Sequence, residues 1–268
     1  MTLPLAGVRA VTFDFGNTLV PVGRAALRRV VEITADEVVR AIAGLDRDAF
    51  LVAWGEERDR QFRENVPQFR EVDIAERIVR VFARLRGAPV PVDEAWDQVA
   101  AASHSEPAEV ELALRSYSHA FVEGMPPRPG VGLLFRSLVA DGRRLAILSN
   151  WPLAATIDRY AEANGWCDEL DAIVVSERVG VIKPHPAIFT AARAALGNPE
   201  PAAILHVGDD WAGDMVGATN AGWRTAWLPE RPEDSPLPTS SRDGDLQPDL
   251  VLDRLEDLRS GLAPLPAE

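Results

Sequence analysis

One lysine, Lys183, stands among 28 basic residues of which the other 27 are arginine, and it sits in Gly180-Val181-Ile182-Lys183-Pro184-His185-Pro186. A chain that uses arginine everywhere else and an ammonium here marks a position that needs a compact, strongly hydrated point charge, which a planar guanidinium does not mimic. Three further segments carry groups of complementary chemistry: Asp14-Phe15-Gly16-Asn17-Thr18, Ser149-Asn150, and Gly208-Asp209-Asp210-Trp211-Ala212-Gly213-Asp214. Carboxylates, hydroxyls and a single ammonium gathered in this way are the groups of a catalytic site.

The elements that must position them are apolar runs. Val8 to Phe13 leads into Asp14, Arg144 to Leu148 into Ser149, and Ala203 to Val207 into Gly208-Asp209. Each reads as a buried parallel strand, and the carboxyl ends of such strands are where open α/β sheets bind ligands. Helical and strand patterns alternate from Val131 onward: helix over 133–140, strand over 145–148, helix over 153–164, strand over 172–175, helix over 186–196, strand over 204–207, helix over 215–221 and a short strand near 225–228. That alternation predicts a parallel sheet with right-handed crossovers. Between Arg24 and about Tyr117 the periodicity is helical throughout, with Leu27, Val30, Val31, Val38, Val39 and Ile42 on one face and Ile74, Ile78, Val81, Phe82 and Leu85 on another. This block is an insertion after the first strand. The sequence therefore predicts a Rossmann-like, doubly wound α/β core over 1–20 and 126–268, with a helical domain over 21–125. Pro229 to Pro248, rich in Pro, Asp and Ser, predicts a surface loop, and 249–262 a last strand and helix.

Composition excludes several classes. A chain of 268 residues with net charge −13 and no basic stripe is a poor partner for a phosphate backbone. Nucleic acid is not expected as a partner. The N-terminus has no cationic start, and no long apolar run predicts a signal or a membrane span, so a cytoplasmic location is the expectation. The lone Cys167 excludes an intrachain disulfide and a cysteine-based zinc site. Oligomeric state stays open, a homodimer included.

Taken in order, Asp14-Phe15-Gly16-Asn17-Thr18, Ser149-Asn150, Lys183-Pro184 and Gly208-Asp209 with Asp214 resemble the four motifs of the haloacid dehalogenase-like (HAD) hydrolases, and the helical block resembles that superfamily's all-helical (C1-type) cap. The resemblance covers essentially the whole chain. It implies a magnesium-dependent phosphatase of a small phosphorylated metabolite. Asp14 would be the nucleophile that forms an aspartyl phosphate. Asp14, the Gly16 carbonyl and Asp209 would hold Mg2+, with Asp214 or Asp210 in the outer shell. Thr18, Ser149, Asn150 and Lys183 would complete the catalytic set and bind the phosphoryl oxygens, with Lys183 as a point charge.

One position departs from the family pattern. Phosphatases of this type carry a second aspartate two residues after the nucleophile, as general acid and then base; here it is Gly16. A glycine keeps the carbonyl and removes the proton donor, an assistance typically worth about 10²–10⁴-fold. The gap admits two rivals, a metal-free 2-haloacid dehalogenase and a catalytically weakened phosphate-binding protein. Three extra carboxylates would oppose a carboxylate substrate in a metal-free site, which favours the phosphatase. Phosphonate cleavage through a cap lysine is excluded, since Lys183 is the only lysine.

Trp151 and Trp211 adjoin the motifs and fit either an aromatic wall or ordinary packing. His185 is a candidate proton donor or a residue that packs or faces water. Trp54, Arg58, Phe62 and Arg63 share a helix face, which fits either substrate contact or, the first reading, a solvated face with buried aromatics. His104, His119 and His206 show no metal spacing and receive no role.

Overall fold

The computed structural model describes residues 4–92, 94–240, 242 and 244–266. It divides into two compact units, Met1–Arg24 with Met125–Glu268, and Ala25–Gly124. In the first unit six strands form one parallel sheet: β1 (Ala10–Phe13), β2 (Arg144–Ser149), β3 (Ala172–Val175), β4 (Ile204–Gly208), β5 (Arg224–Trp227) and β6 (Leu250–Val251), in the spatial order β3-β2-β1-β4-β5-β6. Strand order reverses at β1, which lies between β2 and β4, and that is the switch point where an open α/β sheet presents its ligand crevice. The ladder pairs Phe13 with Ile147 on one side and with Val207 on the other. Asp14, Ser149 and Asp209 therefore leave the sheet along one edge.

Alternation along the strands buries both faces. Ala10, Ala146, Leu148 and Ile204 pack against Ile188, Phe189 and Ala192 of the helix Pro186–Ala195. On the opposite face Phe13 meets Phe135 of the helix Val131–Ala140 at 5.1 Å between ring centroids, and Phe135 meets Trp166 at 5.4 Å. Burying each such aromatic contributes roughly 1.5–3 kcal/mol, and the rigidity this gives the strand ends is what the site inherits.

Three elements differ from the sequence expectation. The third strand keeps its expected bounds of 172–175, but an unexpected one-turn helix, Ser176–Val179, follows it before Lys183, so the lysine reaches the site from a loop. The segment expected as a helix over 215–221 starts earlier, as a π-turn over Trp211–Val216 followed by α-helix over Gly217–Asn220. Asp210 causes this: its carbonyl accepts from both Asp214 N (2.9 Å) and Met215 N (3.4 Å), which widens the first turn. The last helix is a short 3₁₀ turn, Leu255–Arg259, where the Asp257 side chain accepts from Arg254 N and Gly261 follows.

The second unit is all helical among its described residues, with helices Arg47–Asn65, Ile74–Leu85, Gln98–Ala102 and Pro107–Gly124 following Arg24–Ala41. Trp54 belongs to its core, stacked between Phe50 (5.9 Å) and Tyr117 (5.7 Å) with the Arg77 guanidinium 5.3 Å over the ring. Arg58, Phe62 and Arg63 are exposed, and Arg58 pairs with the neighbouring Asp59. Glu57, fully buried, is held by Arg84 (2.9 Å) and Trp96 Nε1 (3.0 Å), the pairing that a buried carboxylate requires.

Candidate active site

Lys183 stands at the centre of the cluster. It is buried, and its Nζ donates to Asp14 Oδ1 (2.8 Å), Asp214 Oδ1 (2.6 Å) and Leu148 O (2.8 Å). An ammonium has three protons, and all three are used. Burial alone works against its charge, but Asp14 and Asp214 hold it protonated, above the usual lysine range. Asn150 fixes the main chain at this point: its Oδ1 accepts from Lys183 N (2.7 Å) and its Nδ2 donates to Lys183 O (3.1 Å). The Asn150 amide therefore positions the lysine with both of its ends.

Asp14 Oδ1 also accepts from Ser149 Oγ at 3.1 Å. Burial, opposed by Lys183 and assisted by Asp214, raises the Asp14 carboxyl to about 6. Asp209 is pushed up to about 8, first by burial and then by Asp14 and Asp214. Asp214 goes the other way: against the pull of burial, Lys183 and His206 keep it well below the usual carboxylate range. Its Oδ2 accepts from Asp210 N at 2.9 Å. A side chain at Gly208 would overlap the Asp214 carboxylate, so the close approach of this loop to the strand end requires glycine. Thr18 is buried with its hydroxyl 3.5 Å from Asp209 Oδ1.

Of the carboxylates singled out in the sequence, the structure brings Asp14, Asp209 and Asp214 together, with ligand oxygens within 4.8 Å of one another. Asp210 lines the same cavity, but its side chain serves as a cap, accepting from Gly213 N (2.7 Å) and from Ser240 N (2.8 Å). Holding three buried carboxylates this close against one lysine and one arginine costs several kcal/mol per unpaired ion. Hard oxygen donors under that strain suit a divalent cation such as Mg2+. Gly16 lines the same cavity of about 100 Å³, with Asp14, Asn17, Asn150, Trp151, Lys183, Asp209 and Leu237 among the other walls. One water needs about 10–15 Å³ of such space, so the cavity has room for a group of several heavy atoms. A larger cleft of about 460 Å³ lies in the helical unit, but its Arg86 is spent on Glu109 and no comparable set of groups converges there.

Sequence reasoning missed four contributors. His206, fully buried on β4, has Nε2 3.0 Å from Asp214 Oδ1 and Nδ1 2.8 Å from Thr12 Oγ1. Burial keeps its ring neutral. A carboxylate only accepts, so the proton sits on Nε2 and Nδ1 takes the Thr12 hydroxyl. Asn17, in the left-handed region at φ 63°, donates to Asp209 Oδ2 (3.3 Å) and to Ser235 Oγ (3.1 Å). Arg128 clamps the carbonyl of Asn17 at 2.9 Å through Nη2. Arg231 Nη1 reaches Asp209 Oδ2 at 3.2 Å. Of these only Asn17, inside a motif that already held Asp14 and Thr18, carried a sequence signal.

His185 caps the helix Pro186–Ala195 by accepting from Ala187 N at 3.2 Å. Trp211 is buried edge-on to Trp227 (5.2 Å), which settles it as packing, whereas Trp151 lines the cavity.

His206→Leu keeps bulk on the strand but removes a donor from Asp214. Outer-shell partners of this kind are worth about 10–100-fold in metal affinity, so if Asp214 helps to hold a magnesium ion, a calorimetric titration of this variant should show binding weakened by about tenfold or more. Unchanged affinity would mean that Lys183 and Asp210 N orient Asp214 without the histidine.

The family of haloacid dehalogenase-like hydrolases matches residues 8–222, and the chain belongs to it. The pyrimidine 5'-nucleotidase YjjG of Escherichia coli is 34% identical over 113 residues, 42% of this chain and 49% of that protein. A phosphoserine phosphatase of Thermus thermophilus is 35% identical over 118 residues, 41% of this chain and 46% of that protein. The match thus spans about half the length of these curated relatives. Among solved structures, a 2-haloacid dehalogenase from Pseudomonas syringae superposes with a TM-score of 0.62 at 20% identity, covering 95% of this chain and 97% of that one. A HAD phosphatase from Thermococcus onnurineus does so at 0.56 and 21%, covering 96% and 99%. Likeness at this identity is likeness of fold, which phosphatases and dehalogenases share. Among the described residues no helix is long and apolar enough to cross a membrane.

Proposed function

We propose that the chain is a magnesium-dependent phosphatase of a small phosphorylated metabolite, acting through an aspartyl phosphate on Asp14. The observation that carries this reading is the packing of Asp209 and Asp214 beside Asp14, whose mutual repulsion calls for a divalent cation. Asp14, Asp209 and Asp214, with the Gly16 carbonyl, would hold Mg2+, which supplies charge neutralisation for an anionic substrate. Both side-chain donors to Asp14, Ser149 and Lys183, converge on Oδ1 and hold the carboxylate in one orientation for attack on phosphorus. Lys183 then faces developing charge with a proton it does not surrender, while His206 and Asn150 keep Asp214 and the lysine in place. In this reading the helical unit is the cap that selects the substrate. The relatives named phosphatase or nucleotidase support the same chemistry.

Position 16 offers no proton, so a departing oxygen must carry its own negative charge, and rates should depend steeply on leaving-group pKa. The test is release of phosphate from an aryl and an alkyl phosphate, with magnesium and with a chelator. Aryl hydrolysis is expected to exceed alkyl hydrolysis by about 10²-fold or more and to vanish with the chelator. Halide release from a 2-haloacid with the chelator present would replace this reading by dehalogenation.

A further inference from the structure

The space beside Gly16 is filled from elsewhere in the chain. A Cβ at this position would lie 2.5 Å from Leu237 Cδ1 and 3.2 Å from Trp151 Cζ3. The backbone there lies outside the left-handed region, so these two side chains, and not the turn, decide what position 16 can carry. Leu237 belongs to the segment after β5 that composition marked as a surface loop. The segment is irregular as expected, yet it is tied to the motif loops at several points. Arg231 Nη2 holds the Leu237 carbonyl (2.8 Å) while its Nη1 holds Asp209. Ser235 exchanges hydrogen bonds with the Asn17 amide (3.1 and 3.2 Å), and Ser240 donates to Asp210 Oδ1 through both its N and its Oγ (2.8 and 2.9 Å). Leu237 and Pro238 thereby become cavity walls together with Trp151, whose indole is braced edge-on by Phe15 at 5.2 Å.

We propose that Leu237 is a specificity-determining residue. It occupies the volume in which a proton-donating side chain at position 16 would stand, and with Trp151 and Pro238 it gives the leaving group apolar walls. The substrate class that fits is a phosphate monoester of a flat, apolar, weakly basic leaving group, that is, an aryl phosphate. This inference rests on the phosphatase reading above. In the first step an Asp14 carboxylate oxygen forms a bond to phosphorus and the bond from phosphorus to the aryl oxygen breaks. The electron pair stays on that oxygen as a phenolate, which takes its proton from water. Water then cleaves the aspartyl phosphate to inorganic phosphate and restores the Asp14 carboxylate.

The experiment compares kcat and KM for 4-nitrophenyl phosphate and ethyl phosphate in wild type, Leu237→Ala, Gly16→Asp and the double variant, with Asp14→Asn as the control. Leu237→Ala exposes the wall to water, so the aryl-over-alkyl ratio of kcat/KM should fall about tenfold, mainly through a higher KM for the aryl ester. Gly16→Asp alone must push Leu237 aside and should raise ethyl phosphate turnover only slightly. In the double variant the gain should exceed the product of the single effects by about tenfold, as expected for residues competing for one space. Independent single effects together with an unchanged aryl preference would overturn the proposal. Wild-type activity equal to that of Asp14→Asn would instead overturn the phosphatase reading itself. If Leu237→Ala fails to fold, Leu237→Val, which shortens the side chain by one carbon, should show a smaller shift in the same direction, and none if Leu237 is incidental.

Discussion

Asp14→Asn is expected to reduce phosphate release by about a thousandfold or more, to the level of buffer, since the substitution removes the proposed nucleophile. The shape of the site survives the change. An amide oxygen at the same place still accepts from Ser149 and Lys183, which donate at 3.1 and 2.8 Å in the native chain, so the melting temperature should stay near that of wild type. Losing one of three mutually repelling carboxylates also relieves Asp209, whose carboxyl Asp14 helps to push up. Folding and catalysis should therefore part company in this variant. The check is activity at saturating magnesium alongside a thermal melt. More than a few per cent of wild-type turnover in a folded variant would move the attacking group off Asp14, onto water or another side chain.

The sequence made the framework of this site legible through its strands. Each apolar run ends on a chemically distinctive residue, and parallel strands in register carry such ends to one edge, so local pattern alone brings Asp14, Ser149 and Asp209 together. Lys183 was found by composition, although it arrives from a loop after a turn of helix rather than from a strand end. What stayed hidden is what depends on tertiary placement. His206 is one alternating position of a strand, and nothing in its neighbours says that its ring meets Asp214 eight positions on. The Asn150 amide reads like a phosphate ligand until its two ends are seen on the Lys183 main chain. Composition announced that 229–248 lacks regular structure, but an irregular segment's path is set by its anchors. Arg231, Ser235 and Ser240 are individually ordinary polar residues whose partners, Asp209, Asn17 and Asp210, lie 22 to 218 positions away in the chain. The same limit applies to Gly16. Its identity was plain, and the filling of its vacant side-chain volume by Leu237 was not.

Lys183→Arg should lose activity by about a hundredfold or more while conserving charge, because geometry and not charge alone is what the lysine supplies. Its Nζ places three N–H bonds from one atom onto Asp14 Oδ1, Asp214 Oδ1 and Leu148 O, at 2.8, 2.6 and 2.8 Å. A guanidinium spreads its donors in a plane and cannot direct three of them from one nitrogen. It is also bulkier, at a position only 4% exposed, and overpacking of this kind costs about 1–3 kcal/mol. The expected result is a folded protein with a lowered melting temperature, Asp14 displaced, and turnover falling far more than substrate affinity. Lys183→Met separates the two contributions. It keeps the unbranched stem, one atom shorter and without the charge, and leaves Asp14 and Asp214 buried without their cation, a loss of about 3–5 kcal/mol. Its melting temperature should therefore fall further than that of Lys183→Arg and should recover in part on adding magnesium, which restores positive charge among the same carboxylates. Near-native turnover in Lys183→Arg would show that any buried cation serves, and the solitary lysine of this arginine-rich chain would have no catalytic meaning.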